Sequence, residues 1–192
     1  LPALAGAADA TFVEDPAIVL DDVALLTRPG AESRRVEGAS LAEALAKWRE
    51  IEPMEAPGTL DGGDVLRVGD ILYVGQSART DHAGLKQLAH RVLPHGLRVK
   101  AVSVEGSPHL KTACTWVGGA TLLVNPDWVD TARLDGFELL PVDPDEPFAA
   151  NAVRVGDGVL LVASAPKTAE RVAARGISVR SVDLSEFELS LI

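Results

Sequence analysis

The chain has 192 residues, and its 28 Asp and Glu residues outnumber its 18 Lys and Arg residues, which gives a net charge of −10. Without a basic cluster to offset that excess, the composition argues against binding to nucleic acid or to an anionic membrane, because both require a positive face. Apolar residues make up 47% of the chain, which excludes intrinsic disorder. The single cysteine, Cys114, excludes an internal disulfide framework and indicates a reducing, cytoplasmic setting.

The most informative pattern is a repeated hairpin. Four segments consist of two alternating apolar runs separated by a tight turn, which is typical of a β-hairpin. The turns lie at 21–22, 69–70, 118–119 and 156–157, about 38 to 49 residues apart. A repeat of this length predicts a solenoid, an array or a closed propeller. A closed ring is favoured because no terminal repeat has the polar face of a cap.

Each hairpin is followed by a predicted helix or helical turn and then by a further strand. In the first unit Ser40 and Glu43 have the spacing of a capping box, which predicts a helix that begins there and packs Leu41, Leu45 and Trp48 on one face. The other predicted elements are helices over about 82–93 and 166–175, a weaker helical turn near 126–134, and strands over 97–104, 137–142 and 177–182. The sequence therefore predicts an α/β ring of ββαβ units that forms a single domain over 1–192.

Polar residues stand directly before the first strand of the hairpins. They include Glu14 and Asp15, Asp61 and Asp64, and His109. Equivalent positions of a ring of repeats converge on its axis, so we expect these groups to share one central site, where carboxylates and a histidine suit acid–base chemistry on a cationic substrate. Each is, taken singly, also an ordinary turn or loop residue. A metal hydrolase that uses Asp61, Asp64 and His109 is a weaker alternative, because the second histidine and the spacing of known metal sites are absent.

Two basic segments follow the first and second hairpins. They contain Arg28, the pair Arg34 and Arg35, and Arg79. Two guanidinium groups at such positions can clamp a carboxylate bidentately. Carboxylates and arginines together suit a zwitterionic, amino-acid-like ligand that carries a second cation. Cys114 stands in an apolar strand and is predicted to be a core residue.

Several ordered segments resemble the dimethylarginine dimethylaminohydrolases, which belong with arginine deiminases and amidinotransferases to the guanidino-group-modifying enzymes. The segments are Phe12-Val13-Glu14-Asp15, Thr27 to Arg35, Leu60 to Leu66, Val74 to Thr80, His109-Leu110-Lys111 and Ala149-Ala150-Asn151. The resemblance extends over about residues 1–188. It implies a pseudo-symmetric, five-bladed α/β propeller of ββαβ units, in which this sequence lacks an N-terminal segment of the first unit and a loop near its C-terminus.

The resemblance also implies the catalytic groups. His109 matches the catalytic histidine of the family, and Asp61 matches the acid that orients it. The family nucleophile is a cysteine at the end of a glycine-containing loop, and we predict its place between Glu188 and Leu189, where this sequence has neither loop nor cysteine. The implied reaction converts Nω-methylated arginine to citrulline and methylamine or dimethylamine through a thiouronium intermediate, and it requires no metal or other cofactor.

The resemblance implies a small cationic amino acid as the partner. The matching substrate-binding residues are Asp9, Phe12, Glu14, Asp15, Arg34 and Arg79, with the two arginines on the α-carboxylate and Phe12 lining the guanidinium pocket. Asp rather than Glu at position 61 favours the dimethylarginine branch of the family. Two alternatives stay open: an arginine deiminase that releases ammonia, and a non-catalytic arginine-binding relative if the protein has no nucleophilic cysteine. The oligomeric state also stays open, with a homodimer as the candidate.

Overall fold

The computed structural model describes Leu1 and residues 3–188, whereas Pro2 and residues 189–192 lie outside the described residues. The described chain forms two compact units. The first comprises 1–103 with 108–110, and the second comprises 104–107 with the residues from Lys111 onward. Each unit holds two of four three-stranded sheets. That 1–192 is a single domain stays a prediction.

The four sheets repeat one topology, in which a hairpin of two antiparallel strands is extended by a third strand parallel to the second. The strands of the first unit are β1 (Ala17–Val19), β2 (Val23–Leu26), β3 (Glu50–Pro53), β4 (Val65–Val68), β5 (Ile71–Gln76) and β6 (Arg98–Ser103). Those of the second unit are β7 (Cys114–Gly118), β8 (Thr121–Val124), β9 (Glu138–Pro141), β10 (Val153–Val155), β11 (Gly158–Val162) and β12 (Ser178–Val182). The predicted ββαβ repeat is confirmed, and the fifth blade stays a prediction.

Helices provide crossovers that a parallel third strand requires. The helices are α1 (Glu37–Leu45), α2 (His82–Val92), α3 (Leu110–Ala113), α4 (Pro166–Ala173) and α5 (Ser185–Glu188). Helix α2 begins after Asp81, whose side chain accepts a hydrogen bond from the Gly84 amide at 2.7 Å. Leu88 and Val92 of this helix are fully buried against the first-unit core. The third crossover contains a short 3-10 turn, Thr131–Arg133.

The predicted capping box at Ser40 is wrong. Helix α1 begins at Glu37, so Ser40 lies inside the helix, where its hydroxyl donates to the Glu37 carbonyl oxygen at 3.2 Å. The 3-10 turn Glu32–Val36 leads directly into the helix, and the Glu37 side chain at its first position pairs with Arg34 of that turn. Trp48 is 74% exposed and does not pack on the predicted apolar face.

Each unit has its own apolar core. The first is built around Leu25, Leu60 and Leu72, and the second around Leu123 and Leu161, all of which are buried. No helix in the described part of the chain combines the length and the apolar character that crossing a bilayer requires.

Candidate active site

Asp61 stands at the centre of the site in the first unit. It immediately precedes the short turn Gly62–Asp64 that leads into β4, and its side chain is fully buried. Asp61 Oδ1 accepts the Gly30 amide at 3.0 Å, and Asp61 Oδ2 lies 3.1 Å from His109 Nε2. The predicted contact between His109 and Asp61 is therefore present, across 48 positions of sequence.

Asp61 and His109 form a buried ion pair. Burial is the largest single effect and works against both charges, but the hydrogen bonds and neighbouring charges together outweigh it. The hydrogen bond between the two groups, with the charges of Asp15 and Asp64, raises the pKa of His109 above its ordinary value. The same bond, with the Gly30 amide and the charge of Arg79, lowers the pKa of Asp61. The raised pKa favours the imidazolium form of His109, which can deliver a proton.

Asp15 is a second buried carboxylate beside this pair. Its Oδ1 accepts the Gly63 amide at 2.8 Å and lies 3.8 Å from His109 Nε2. Its Oδ2 accepts a hydrogen bond from Arg34 Nη1. A Cβ on Gly63 would stand 2.5 Å from Asp15 Oδ1 and 2.8 Å from His109 Cγ, so only glycine fits between these groups.

Asp64 joins three segments of the site. Its Oδ2 accepts hydrogen bonds from Ser77 Oγ at 2.7 Å and Thr80 Oγ1 at 2.6 Å, and its Oδ1 accepts the Leu110 amide at 2.9 Å. These contacts tie the Asp61 turn to the loop that carries Arg79 and to the residue after His109. Burial raises the pKa of Asp64 even though its hydrogen bonds act in the opposite direction.

The two predicted carboxylate-binding arginines differ in their surroundings. Arg79 is partly exposed, with 38% of its side-chain surface accessible, and its Nη1 lies 3.7 Å from Asp61 Oδ2. Arg34 is buried and directed inward, where it pairs with Asp15 and Glu37. Arg79 is the more exposed of the two arginines, and the α-carboxylate contact of each stays a prediction.

The remaining predicted substrate-binding residues lie in the segment before β1. Asp9 and Glu14 have exposed side chains, and Phe12 is half-buried. The carbonyl oxygens of Asp9 and Phe12 accept hydrogen bonds from Arg34 Nη2 at 3.0 and 3.2 Å. Asp9 and Phe12 therefore contact Arg34 through their backbone.

Asp15, Asp61 and His109 also form a cluster with metal-ligand atoms within 4.8 Å of one another. Metal ligation requires a neutral imidazole, whereas the two carboxylates favour the protonated form of His109. Asp64, which the metal-hydrolase alternative requires, already accepts three protein hydrogen bonds. These observations favour an ion pair over a metal centre.

Cys114, the one cysteine of the sequence, is not suited to nucleophilic attack. It is buried at the start of β7, as predicted, and burial raises the pKa of its thiol to about 12. A thiol with that pKa has almost no thiolate near neutral pH. The predicted position of a nucleophilic cysteine, between Glu188 and Leu189, lies outside the described residues.

From the sequence, Asp64 had a specific role only in the metal-hydrolase alternative, and Glu37 had none. Asp64 belongs to the Asp61-Gly-Gly-Asp64 motif, whose second carboxylate was the available signal. Glu37 lies three residues after Arg34, a spacing that allows an ion pair on a helix. That spacing is common, so it does not by itself indicate a site.

The arginine deiminase family model matches residues 39–145 of this chain. Two curated relatives are N(G),N(G)-dimethylarginine dimethylaminohydrolases. The one from Pseudomonas aeruginosa is 37% identical over 181 residues, which cover 93% of this chain and 71% of the relative. The one from Streptomyces coelicolor is 45% identical over 181 residues, which cover 94% of this chain and 69% of the relative.

Solved structures show the same relationship. A dimethylarginine dimethylaminohydrolase in an adduct with S-methyl-L-thiocitrulline has a TM-score of 0.89 at 36% identity, over 94% of this chain and 72% of the other. The Pseudomonas aeruginosa enzyme in complex with citrulline has a TM-score of 0.86 at 36% identity, over 94% and 71%. The N-terminal domain of ArgZ, a cyanobacterial arginine dihydrolase, has a TM-score of 0.86 at 23% identity, which supports the fold alone.

The fold and the carboxylate–histidine site thus define a protein of the guanidino-group-modifying class. Within that class, the chain belongs to the dimethylarginine dimethylaminohydrolase family.

Proposed function

We propose that this chain provides the guanidine-binding and proton-transfer groups of an enzyme that hydrolyses Nω-methylated arginine. The products are citrulline and methylamine or dimethylamine. The observation that carries the proposal is the buried His109–Asp61 pair beside the Asp15 carboxylate. One group supplies a proton, and another can accept hydrogen bonds from a guanidinium.

In the proposed mechanism a cysteine thiolate attacks the guanidinium carbon and forms a tetrahedral adduct. The His109 imidazolium, whose pKa is raised, protonates the departing methylated amine as the C–N bond breaks. The thiouronium that remains is attacked by water, from which neutral His109 takes a proton. The second adduct loses its hydroxyl proton to solvent as it collapses, which releases neutral citrulline and the thiolate. Asp61 stabilises the imidazolium in both half-reactions.

Substrate binding follows the charges of the site. Asp15 accepts hydrogen bonds from the N–H groups of the guanidinium, and Arg34 and Arg79 pair with the α-carboxylate. Phe12 packs on the guanidinium, and Asp9 and Glu14 receive the α-amine. The proposed nucleophile is a cysteine between Glu188 and Leu189, and its presence there stays a prediction.

The test measures products from three substrates. The purified chain is incubated with dimethylarginine, monomethylarginine and arginine, and citrulline, methylated amines and ammonia are quantified, while the intact mass is measured by mass spectrometry. Citrulline with dimethylamine supports the proposal. Citrulline with ammonia, from arginine alone, replaces it with an arginine deiminase. Binding of dimethylarginine without citrulline, in a chain whose mass equals that of this sequence, replaces it with a binding protein.

We also propose that the protein is located in the cytoplasm and that it forms a homodimer. The single cysteine suits a reducing compartment. Fractionation of cells that produce the protein tests the location, and light scattering at several concentrations tests the dimer. A mass of one chain at every concentration contradicts the dimer.

A further inference from the structure

Asp64 is a fully buried carboxylate to which the proposed mechanism assigns no step. Its Oδ2 accepts hydrogen bonds from the hydroxyls of Ser77 at 2.7 Å and Thr80 at 2.6 Å, and its Oδ1 accepts the Leu110 amide at 2.9 Å. An ionised carboxylate offers only acceptor sites, so it can satisfy all three donors at once. Two of these donors belong to residues 77–80, the Arg79 loop, which connects β5 to helix α2.

Each of the two hydroxyls directs its single proton at Asp64. Ser77 Oγ accepts the amides of Arg79 at 3.0 Å and Thr80 at 3.3 Å, and Thr80 Oγ1 accepts the Asp61 amide at 3.2 Å. Amide N–H groups can only donate, so the hydroxyl oxygens are the acceptors there and each hydroxyl proton is left for Asp64. Asp64 therefore orients the Ser77 hydroxyl, and that hydroxyl in turn holds the backbone of Arg79.

Gly30 confines the backbone of Arg79 as well. A Cβ on Gly30 would stand 2.6 Å from the Arg79 carbonyl oxygen and 2.8 Å from its Cα, so the two backbones are closely packed. The Arg79 side chain, in contrast, is 38% exposed. A cation whose backbone is already fixed loses less conformational entropy when it binds a carboxylate than one on a mobile loop. The contacts of the Arg79 loop therefore prepare an accessible guanidinium for a ligand.

We infer that Ser77, oriented by Asp64, is a positioning residue that acts through Arg79 and sets the preference of the site for an amino acid over the same cation without an α-carboxylate. The Ser77 hydroxyl fixes the Arg79 amide, and thereby the point from which the guanidinium reaches the ligand. The inference rests on the proposed function, in which Arg79 pairs with the α-carboxylate.

Two ligands that differ only in the carboxylate test this inference. Dimethylarginine carries an α-carboxylate, and dimethylagmatine is the same molecule without it. Binding of each to the full chain is measured by calorimetry. Ser77→Ala removes the acceptor of the Arg79 amide but leaves the contacts of Asp64 with Thr80 and Leu110. It should weaken dimethylarginine by roughly tenfold and dimethylagmatine by less than about twofold, because only the first ligand contacts Arg79.

Matched variants separate this effect from a loss of structure. Ser77→Thr retains the hydroxyl and should restore dimethylarginine affinity to within about threefold of wild type. Ser181→Ala makes the same substitution at an exposed serine of β12 and should leave both affinities unchanged. An equal weakening of both ligands by Ser77→Ala means a general structural role only, and it overturns the inference. Unchanged affinity for dimethylarginine in that variant overturns it too.

A double variant tests whether Ser77 acts through Arg79. In an Arg79→Ala background the cation that Ser77 positions is gone, so Ser77→Ala should then change dimethylarginine affinity by less than about threefold. Two losses that multiply mean that Ser77 acts independently, which contradicts the inference. Equal binding of the two ligands by the wild-type chain overturns the α-carboxylate contact of Arg79 and the inference with it. A wild-type chain that binds neither ligand overturns the proposed function as well.

Discussion

A methyl group added at Gly63 would stand 2.5 Å from Asp15 Oδ1 and 2.8 Å from His109 Cγ. Ordinary contacts between such atoms lie at about 3.5–4.0 Å, so Gly63→Ala must displace both groups by about 1 Å. Neither can rotate aside freely, because Asp15 is held by Arg34 and His109 by Asp61. The substitution therefore tests whether the positions of these two groups matter for function.

A misplacement of about 1 Å can lower a rate by about 100-fold, and overpacking of this kind typically costs about 1–3 kcal/mol of unfolding free energy. We therefore expect Gly63→Ala to lower citrulline formation by about 100-fold and dimethylarginine affinity by at least about tenfold. The assays are product analysis, calorimetry and urea unfolding, which shows whether the variant is still folded at the assay temperature.

Gly38→Ala is the matched control. Gly38 lies in α1, and a Cβ there would meet nothing within 4 Å. This variant should gain about 0.5–1 kcal/mol of stability and should bind dimethylarginine as the wild type does. Activity and affinity of Gly63→Ala within about threefold of wild type would refute the arrangement of Asp15, Gly63 and His109 described above.

Three further predictions follow from the same geometry. Arg79→Ala should weaken dimethylarginine binding by roughly 10- to 150-fold and dimethylguanidine binding less, so equal losses would contradict a carboxylate contact. The pKa of His109 is raised in the folded protein. The contribution of His109 to stability is therefore complete at pH values below its unfolded-state pKa near 6.5, and it is lost as the pH rises through its folded-state pKa. The unfolding free energy of wild type minus that of His109→Gln should therefore fall with rising pH. Cys114, with a pKa raised to about 12, should resist iodoacetamide in the native protein at pH 8 and react after denaturation; rapid native labelling would contradict its burial.

The hairpins were predictable because their information is local. Apolar alternation and a turn lie within about ten residues of sequence, and glycines at 69 and 156 adopt positive φ values of 61° and 59° in those turns. Helix α2 was predicted to within one residue of each end for the same reason. The start of α1 was predicted wrongly, because the 3-10 turn Glu32–Val36 continues directly into the helix and places Ser40 inside it.

The sequence predicted which residues belong to the candidate site, but it did not predict which of them contact one another. Repeat position and family resemblance pointed to Asp15, Asp61 and His109, whose functional atoms the structure brings within 4.8 Å of one another. The direction of a long side chain depends on partners from other elements, so the sequence did not show that Arg34 turns inward to Glu37. The contacts of Asp64 were unpredictable for the same reason, because its hydrogen-bond donors come from two other segments.

Charge pairing explains why two similar aspartates differ in one motif. Asp61 and Asp64 are three residues apart and both are fully buried. Desolvation acts against both anions, yet the pKa of Asp61 is lowered and that of Asp64 is raised. Asp61 faces His109 directly and Arg79 at 3.7 Å, whereas every hydrogen bond to Asp64 comes from a hydroxyl or a backbone amide. The two aspartates of the motif therefore differ in their contacts: Asp61 pairs with a basic side chain, and Asp64 holds the backbone at Leu110 in place.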